Sequence, residues 1–543
     1  MAQLAGTGGG PRPFWSTRWF VLAIALFAAL PLVWPDVPPL VDLPGHMARY
    51  RVQLAHGTDP NFRAWFDFRW SLIGNLGIDL LIEPLAPLIG LERAVKLIVL
   101  LIPVLTVTGL LWIAREVHGE VPPSAFFAVP LAYSFPFQFG FVNFALAMAL
   151  ALNAFAWWLR LARQGRLRFR AAVFVPISVA LWVCHTFGWG VLGVLAYSAE
   201  LVRLWDKHRK PVHALVGAGI SCLSLALPML FMIAWRSGDH VSGKTADWFN
   251  WRLKWEWTTM ILRDRWMWFD LGSLVLIGLL LVGAIRHPHL TYSRNLTMSA
   301  LFLALVYLLL PRIVFGSAYA DMRLAPFVLA VAVIALRPRV GLTRRNATLI
   351  AATALAFTAI RIGAATTSYW MYDRDYDREL AALERLPEGS RLVTFVGARC
   401  VWPWAMTRLE HIPGMATVRR GAFTNDQWSM AGAQLLTVRY RQGGFYSHDP
   451  SQLVTPLKCR REFWRPVNRA LAEFPRAAYD YLWLVRPPRY DRRLEAGLQP
   501  VWRSGASTLF RVIDRRQPVL PGAVPPPAAQ PPRRNGASSA SAA

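Results

Sequence analysis

The sequence predicts a polytopic α-helical membrane protein with about eleven transmembrane helices and a small C-terminal extracytoplasmic α/β domain. Three observations carry that prediction. Of the 543 residues, 55% are hydrophobic and only 17% are charged, far from the balance of a soluble chain of this length. Apolar runs near the ~18 residues that an α-helix needs to cross a bilayer recur along the first two thirds. Positive charge collects between those runs, in "RLARQGRLRFR" (160–170), "RLWDKHRK" (203–210), "RHPHLTYSR" (286–294) and "RPRVGLTRR" (337–345). Loops of this kind face the cytoplasm. The formal net charge of +27 is therefore explained by topology. No basic stripe interleaved with aromatics lies on a soluble face, so nucleic acid is excluded as a partner.

Taken in order, residues 1–17 are rich in Gly and Pro and predict a disordered cytoplasmic N-terminus. The run "WFVLAIALFAALPLVWP" (19–35) lacks a small-residue cleavage site and reads as an uncleaved first span. Further spans are expected at 93–114, 124–140, 142–160, 169–184, 187–205, 213–235, 271–286, 295–314, 322–337 and 346–368. These make up a transmembrane domain over 18–370. With the N-terminus inside, all four basic clusters fall on the cytoplasmic side. The segment 71–90 carries Asp79, Glu83 and two Pro and is read as an interfacial helix within a first outer loop, 36–90.

A second outer loop, 236–270, has Trp at 248, 251, 255, 257, 266 and 268. It fits a helix at the membrane–water boundary, where a ring is half buried and its N–H is wet. The wall of a cavity for a lipid tail or a sugar is the alternative. From 371 to 515 the pattern becomes α/β. Strands are expected at 392–396, 479–485 and 507–513, with a helix at 489–498. The Pro- and Ala-rich tail 516–543 is expected to be disordered. Of four Cys, 184 and 222 fall in spans, and 400 and 459 share the late polar region, where they could pair if it is exported.

The chemistry concentrates in "VDLPGHMARYR" (41–51), directly after the first span. A helix starting near Leu43 puts Asp42 at the N-cap and Pro44 in the first turn. Spacings of four, three and four then gather Asp42, His46, Arg49 and Gln53 on one face, beside an apolar stripe of Leu43, Met47, Tyr50 and Leu54. Such a helix would lie on the outer membrane surface with its polar stripe facing whatever the loop encloses. Two roles stay open for Asp42, a helix cap or a carboxylate aimed into a cavity. Asp79 and Glu83, at i and i+4, are either a second carboxylate source or an outward polar face. His185 reads as a structural His at a turn. Gln138 and Asn143, in the aromatic turn "FPFQFGFVNF" (135–144), pack or hydrogen-bond a sugar.

One span followed by an outer loop opening with Asp and a nearby His and Arg resembles the GT-C superfamily of membrane glycosyltransferases, among them bacterial lipid-sugar and aminoarabinose transferases and protein mannosyltransferases. "GIDLLIEPLAPLIGLERAVKL" resembles the stretch leading into the second span of that family. "SAYADMRLAPF" (317–327) is similar to its late outer-loop motif. The resemblance extends in layout over most of 15–515, and only Asp42 and Arg323 match specific motifs.

It implies transfer of a sugar, with inversion, from a polyprenyl-phosphate-linked donor to a glycan, lipid or protein acceptor at the outer face of the inner membrane. Asp42 would be the general base. Arg323 would neutralise the leaving phosphate, unless it is paired with Asp321. His46 and Arg49 would orient Asp42 or contact donor phosphate. No cofactor is called for by the sequence; a divalent cation held by His46 with an acidic residue is the alternative, although no cluster with metal-ligand spacing occurs. No P-loop, dinucleotide fingerprint or zinc motif occurs either. Two other classes remain, a transporter or flippase of a lipid-linked glycan and a non-catalytic membrane scaffold with the same fold.

Overall fold

The computed structural model describes residues 13–236, 245–314, 317–339, 341–401, 403–429, 434–459 and 464–518. Most of the expected disordered N-terminus and tail (1–12 and 519–543), and residues 237–244 of the Trp-rich loop, lie outside the described residues.

Helices dominate. The first run forms α1 (Arg18–Phe27), capped by Thr17, whose hydroxyl accepts from the Phe20 amide. Helices α2 (Leu43–Ala55), α3 (Gly77–Ile89) and α4 (Leu91–His118) follow. Gly90, at φ +84°, makes the sharp turn between α3 and α4. Then come α5 (Val142–Arg163), α6 (Leu167–Cys184) and α7 (Thr186–His208). A pair bent by 66°, Pro211–Leu225 with Leu227–Ala234, leads to α8 (Trp251–Thr259). The series continues with α9 (Met267–Arg286), α10 (Arg294–Leu309), α11 (Ala325–Ile334) and α12 (Arg344–Leu380).

Six of these helices, α4, α5, α6, α7, α9 and the one containing α12, are long and apolar enough to cross a membrane, and the bent pair makes a seventh if it is one span. Eleven spans were expected. Each expected segment is helical somewhere, but four of them form short elements. Those at 19–35, 295–314 and 322–337 give α1, α10 and α11, and that at 124–140 gives a 3-10 helix, Pro123–Tyr133, and a short α-helix, Phe135–Phe139. Proline is the physical reason in the 3-10 stretch: Pro130 interrupts the α pattern by removing a donor. A 3-10 helix rises ~2.0 Å per residue, so this stretch extends ~22 Å. All 11 of its residues are buried. The segment 71–90 contains α3, whose 13 residues reach only ~20 Å at ~1.5 Å each, short of a crossing.

The four basic clusters meet at one end of the bundle. Arg163 pairs with Glu116 at 2.5 Å and Arg294 with Asp206 at 2.6 Å. His118 Nε2 lies 2.8 Å from the Ile334 carbonyl. An antiparallel ribbon joins Leu290–Tyr292 to Leu336–Pro338.

The C-terminal α/β domain sits at the opposite end. Its sheet contains β1 (Leu392–Gly397), β2 (Leu453–Thr455), β3 (Arg465–Pro466), β4 (Tyr481–Val485), β5 (Leu498–Ser504) and β6 (Ser507–Val512), in the order 3-2-1-4-6-5. Strands β1 to β4 pair in parallel and β6 pairs antiparallel with β4 and β5. Leu392 to Phe395 of the central strand are all buried, as expected for a strand covered on both faces. The helix expected at 489–498 is not formed. A 3-10 turn, Arg492–Glu495, is followed by β5, because Gly497 at φ +75° reverses the chain before a second turn can form. Cys400 and Cys459 form a disulfide.

The segment 36–90 and this domain are one structure. Phe66–Phe68 pairs antiparallel with Leu436–Val438. Val52, Phe62 and Phe66 share a core with Phe395, Phe423 and Leu482. Helix α12, 37 residues long and hence ~55 Å at ~1.5 Å per residue, runs on from the bundle into the domain. There the Tyr376 hydroxyl donates to the Arg408 carbonyl at 2.6 Å. The fully buried Arg408 guanidinium in turn donates to Gln138 Oε1 and Asp264 Oδ1, both at 2.7 Å. In the Trp-rich loop, Trp257 of α8 is buried against Phe135 and Tyr319, while Trp248, Trp251, Trp255 and Trp268 are exposed.

Candidate functional site

Helix α2 starts where expected, with Asp42 at its N-cap, and the Asp42 carboxylate makes no capping hydrogen bond. The segment is instead anchored through its backbone: the Asp42 amide donates to the Phe139 carbonyl at 2.9 Å. Gly140 permits this approach. It sits at φ +102°, and a Cβ there would lie 2.8 Å from the Asp42 nitrogen. The carboxylate is thus left free to face a cavity.

Helix α2 does not lie on a surface. Its far side packs on α13 (Gly414–Arg420) of the C-terminal domain. Gly414 makes that contact close, since a Cβ there would lie 2.5 Å from the Pro44 carbonyl, and Gly45 lets the Trp428 ring approach α2, where a Cβ would meet it at 2.9 Å.

The polar stripe divides. Asp42 and His46 line a cavity of about 380 Å³ together with Arg323, Glu410, His411, Trp428 and Asp449. Arg49, Gln53, Asp79 and Glu83 form a separate network that joins α2 to α3. The Arg49 guanidinium makes a two-pronged ion pair with the fully buried Asp79, and Gln53 donates to Glu83 Oε1 at 2.7 Å. Asn143 donates to Asp79 Oδ2 at 3.0 Å and accepts from the Ile78 amide at 2.7 Å. Arg49, Asp79 and Glu83 therefore tie helices together and are not among the residues that line the cavity. Gln138 accepts from Tyr369 and Arg408. His185 reaches the cavity wall, and its Nδ1 accepts from the Phe187 amide at 3.1 Å as the cap of α7.

Arg323 has no hydrogen bond or ion pair among the described residues. Its neighbour Asp321 is engaged by Lys254 Nζ at 3.2 Å. The guanidinium lies over Phe141, 4.3 Å from the ring centroid, and Nε is buried without a partner. Its charge acts on the Asp42 carboxyl across the cavity. Arg323 also lines a neighbouring groove of about 370 Å³, walled by Trp182, Val191, Val194, Leu303 and Val306. The polar cavity and the apolar groove thus share this arginine.

Sequence reasoning missed the acid–base partners of Asp42. They come from "RLEHIPG" (408–414) and "SHDP" (447–450), more than three hundred and fifty residues downstream. His411 Nε2 lies 3.9 Å from both Asp42 Oδ1 and Asp449 Oδ1, and its Nδ1 is 3.7 Å from Asp426 Oδ2. The ring tilts onto Trp428 at 4.4 Å, and Trp428 also meets His46 at 5.0 Å. The only available signal was local: Glu and His adjacent beside a Pro-Gly turn, and His-Asp before a Pro. Neither has a spacing that points to residue 42.

The electrostatics follow from burial. Desolvation raises the Asp42 carboxyl to about 7. His411 and Arg323 oppose the rise, and Glu410 and Asp449 reinforce it. Burial works against the His411 cation, but Asp426, Asp449 and Asp42 outweigh it and raise its pKa to about 9. Burial raises Glu410 and Asp449 as well. Burial, with Arg49 and His411, pushes His46 well below its usual value, so it is neutral. The cavity therefore holds a carboxyl that titrates near neutrality, a histidine that stays protonated and an arginine with no ion pair among the described residues. Among the described residues, no group of three or more His, Cys, Asp or Glu has an arrangement that could hold a metal ion. No protein-family model matches the chain, and no curated protein matches it.

Proposed function

We propose that this chain is an inner-membrane glycosyltransferase. It moves a sugar from a polyprenyl-phosphate-type lipid to an envelope acceptor at the extracytoplasmic face, with inversion. The observation that carries the reading is the Asp42 carboxylate, buried and free of its helix cap, in one cavity with Arg323, which has no ion pair among the described residues.

In the reaction, Asp42 accepts the proton of the acceptor hydroxyl as that oxygen attacks the anomeric carbon. The bond from that carbon to the phosphate oxygen breaks, and the phosphate leaves with the electron pair. A pKa near the working pH is what a general base needs. Arg323 offers a permanently charged planar fork to the leaving phosphate, and the apolar groove it borders suits the polyprenyl chain. His411 keeps Asp42 ionised enough to act.

Sidedness has two supports. Four basic clusters lie at the end of the bundle away from this cavity, as the charge rule requires of a cytoplasmic end. The disulfide Cys400–Cys459 belongs in an oxidising compartment. The eleven-span topology is part of the proposal, with the short elements α1, 123–139, α10 and α11 completing the count.

The test is purified protein in nanodiscs with a panel of radiolabelled polyprenyl-phosphate sugars and a membrane-extract acceptor, wild type beside Asp42→Asn. Transfer by the wild type should fall ~10²-fold or more in the variant, the scale of a general base. Unchanged turnover by the variant removes Asp42 from that role. Movement of the labelled lipid across the bilayer with no glycosidic cleavage favours the flippase.

A further inference from the structure

A second cleft, of about 980 Å³, opens where α3 turns into α4, on the side of α2 away from Asp42. Its charged walls are Asp36, Arg51, Glu92, Arg93, Lys96 and Arg419. Four cations face two carboxylates, a formal balance of +2. Glu92 already pairs with Arg419 at 2.8 Å. From α12, Asp373 acts on Lys96, and Asp36 and Asp377 act on Arg419. Arg51, Arg93 and Lys96 enter no ion pair or side-chain hydrogen bond among the described residues; Arg51 only overlies the Phe62 ring at 5.7 Å. Three cations thus converge on one open cleft with their donors unused.

The cleft also stands at the head of an apolar surface. Leu88 (77% exposed), Leu97 (43%) and Leu101 (42%) point outward from the end of α3 and the first turns of α4, and α4 is among the helices long and apolar enough to span a membrane. Basic side chains above lipid-facing leucines match an anionic headgroup above its acyl chains. Arg and Lys recognise phosphate oxygens by charge-assisted hydrogen bonds.

We propose that this cleft binds a phosphate ester, and that its source is the headgroup of an anionic phospholipid seated with its acyl chains along Leu97 and Leu101. The site is separate from the Asp42 cavity and does not rest on sugar transfer. A lipid held there bridges α4 to Arg419 of α13, the helix on which α2 packs.

The experiment is native mass spectrometry of the full chain titrated with dioleoylphosphatidylglycerol, dioleoylphosphatidylcholine or inorganic phosphate. The proteins are wild type, the triple variant Arg51→Gln/Arg93→Gln/Lys96→Gln and the charge-preserving Arg51→Lys/Arg93→Lys/Lys96→Arg. Wild type should bind the anionic lipid at least tenfold more tightly than the zwitterionic one. The Gln variant should lose that preference, the charge-preserving variant should keep it, and millimolar phosphate should leave it intact. Equal preference in wild type and the Gln variant overturns the site. Displacement of the lipid by inorganic phosphate overturns the lipid as its source. Because the charge-preserving variant alters the same three positions while keeping their charge, loss of binding in both variants also overturns the proposal.

Discussion

Replacing His411 by Gln removes the cation that holds Asp42 ionised while leaving a group of similar size. The two lie 3.9 Å apart. At that distance a unit charge pair is worth about 4 kcal/mol at an effective dielectric near 20 and about 1 kcal/mol at that of bulk water. At ~1.36 kcal/mol per pH unit, the Asp42 pKa should rise by roughly one to three units. The sign is fixed: loss of a neighbouring cation disfavours the carboxylate, so the value moves up from about 7.

Even a one-unit rise cuts the ionised fraction at pH 7 from about a half to about a tenth, a roughly fivefold loss of a rate that needs the base, and pH 9 restores it. Two assays read this. One is the pH–rate profile of sugar transfer, whose acid limb should move to higher pH by at least about one unit. The other needs no activity: infrared difference spectra of the protonated carboxyl against pH, with Asp42→Asn subtracted to isolate its band. An Asp42 band that titrates in the ordinary carboxylate range in wild type, or that stays at its wild-type position in His411→Gln, refutes the electrostatic account of the site.

Three other outcomes can be measured. Because the folded-state pKa of His411 is raised from 6.5 to about 9, the stability it contributes is complete below pH 6.5 and is lost as pH rises through 9. Melting temperature in detergent should fall over that window, by the equivalent of about 3 kcal/mol, and the slope should flatten in His411→Gln. Breaking the buried Arg49–Asp79 pair on one side, as in Asp79→Asn, should destabilise the protein by ~3–5 kcal/mol, and a double replacement Arg49→Met/Asp79→Leu by less; chemical-denaturation midpoints decide this. Closing a loop of 59 residues with the Cys400–Cys459 bond confers about 4 kcal/mol in the chain-entropy account. Reductant should therefore lower the proteolytic resistance of wild type, and leave that of Cys400→Ser/Cys459→Ser unchanged.

The start of α2, its Pro in the first turn and the Asp at its cap were legible in "VDLPGHMARYR", since capping and first-turn preferences are local. The use of that Asp was not. Whether a cap carboxylate turns to its own amides or to a cavity depends on what packs against it, here the Gly140 turn and His411, 98 and 369 positions away by the numbering. The helical spacing placed Asp42, His46, Arg49 and Gln53 on one face correctly, but a stripe 13 residues long can face two environments. Its first turn borders a cavity and its later turns meet α3. The Arg323 segment was found through a motif, and its lack of a partner followed only from seeing Asp321 taken by Lys254. That one expected span would become a 3-10 stretch was not legible for a related reason: hydropathy registers apolar residues but not the effect of a proline such as Pro130 on the helix.

The polar half of the cavity is the clearest case of what only the fold supplies. Apart from Arg323, the groups that act on Asp42 stand on the C-terminal domain, and the loop carrying Glu410 and His411 reaches the bundle because Arg408, three residues before His411, is buried between Gln138 and Asp264. Without that domain, Asp42 would face water and titrate as an ordinary carboxylate at the start of an exposed helix. With it, burial raises the carboxyl and His411 limits the rise. The proton-accepting strength of Asp42 is therefore set by the docking of the domain. A change at Arg408 that loosens docking should lower the Asp42 pKa toward its usual range even though Arg408 is not in the cavity lining. His411→Gln should do the opposite, and the two infrared titrations on one band distinguish a domain that merely covers the site from one that tunes it.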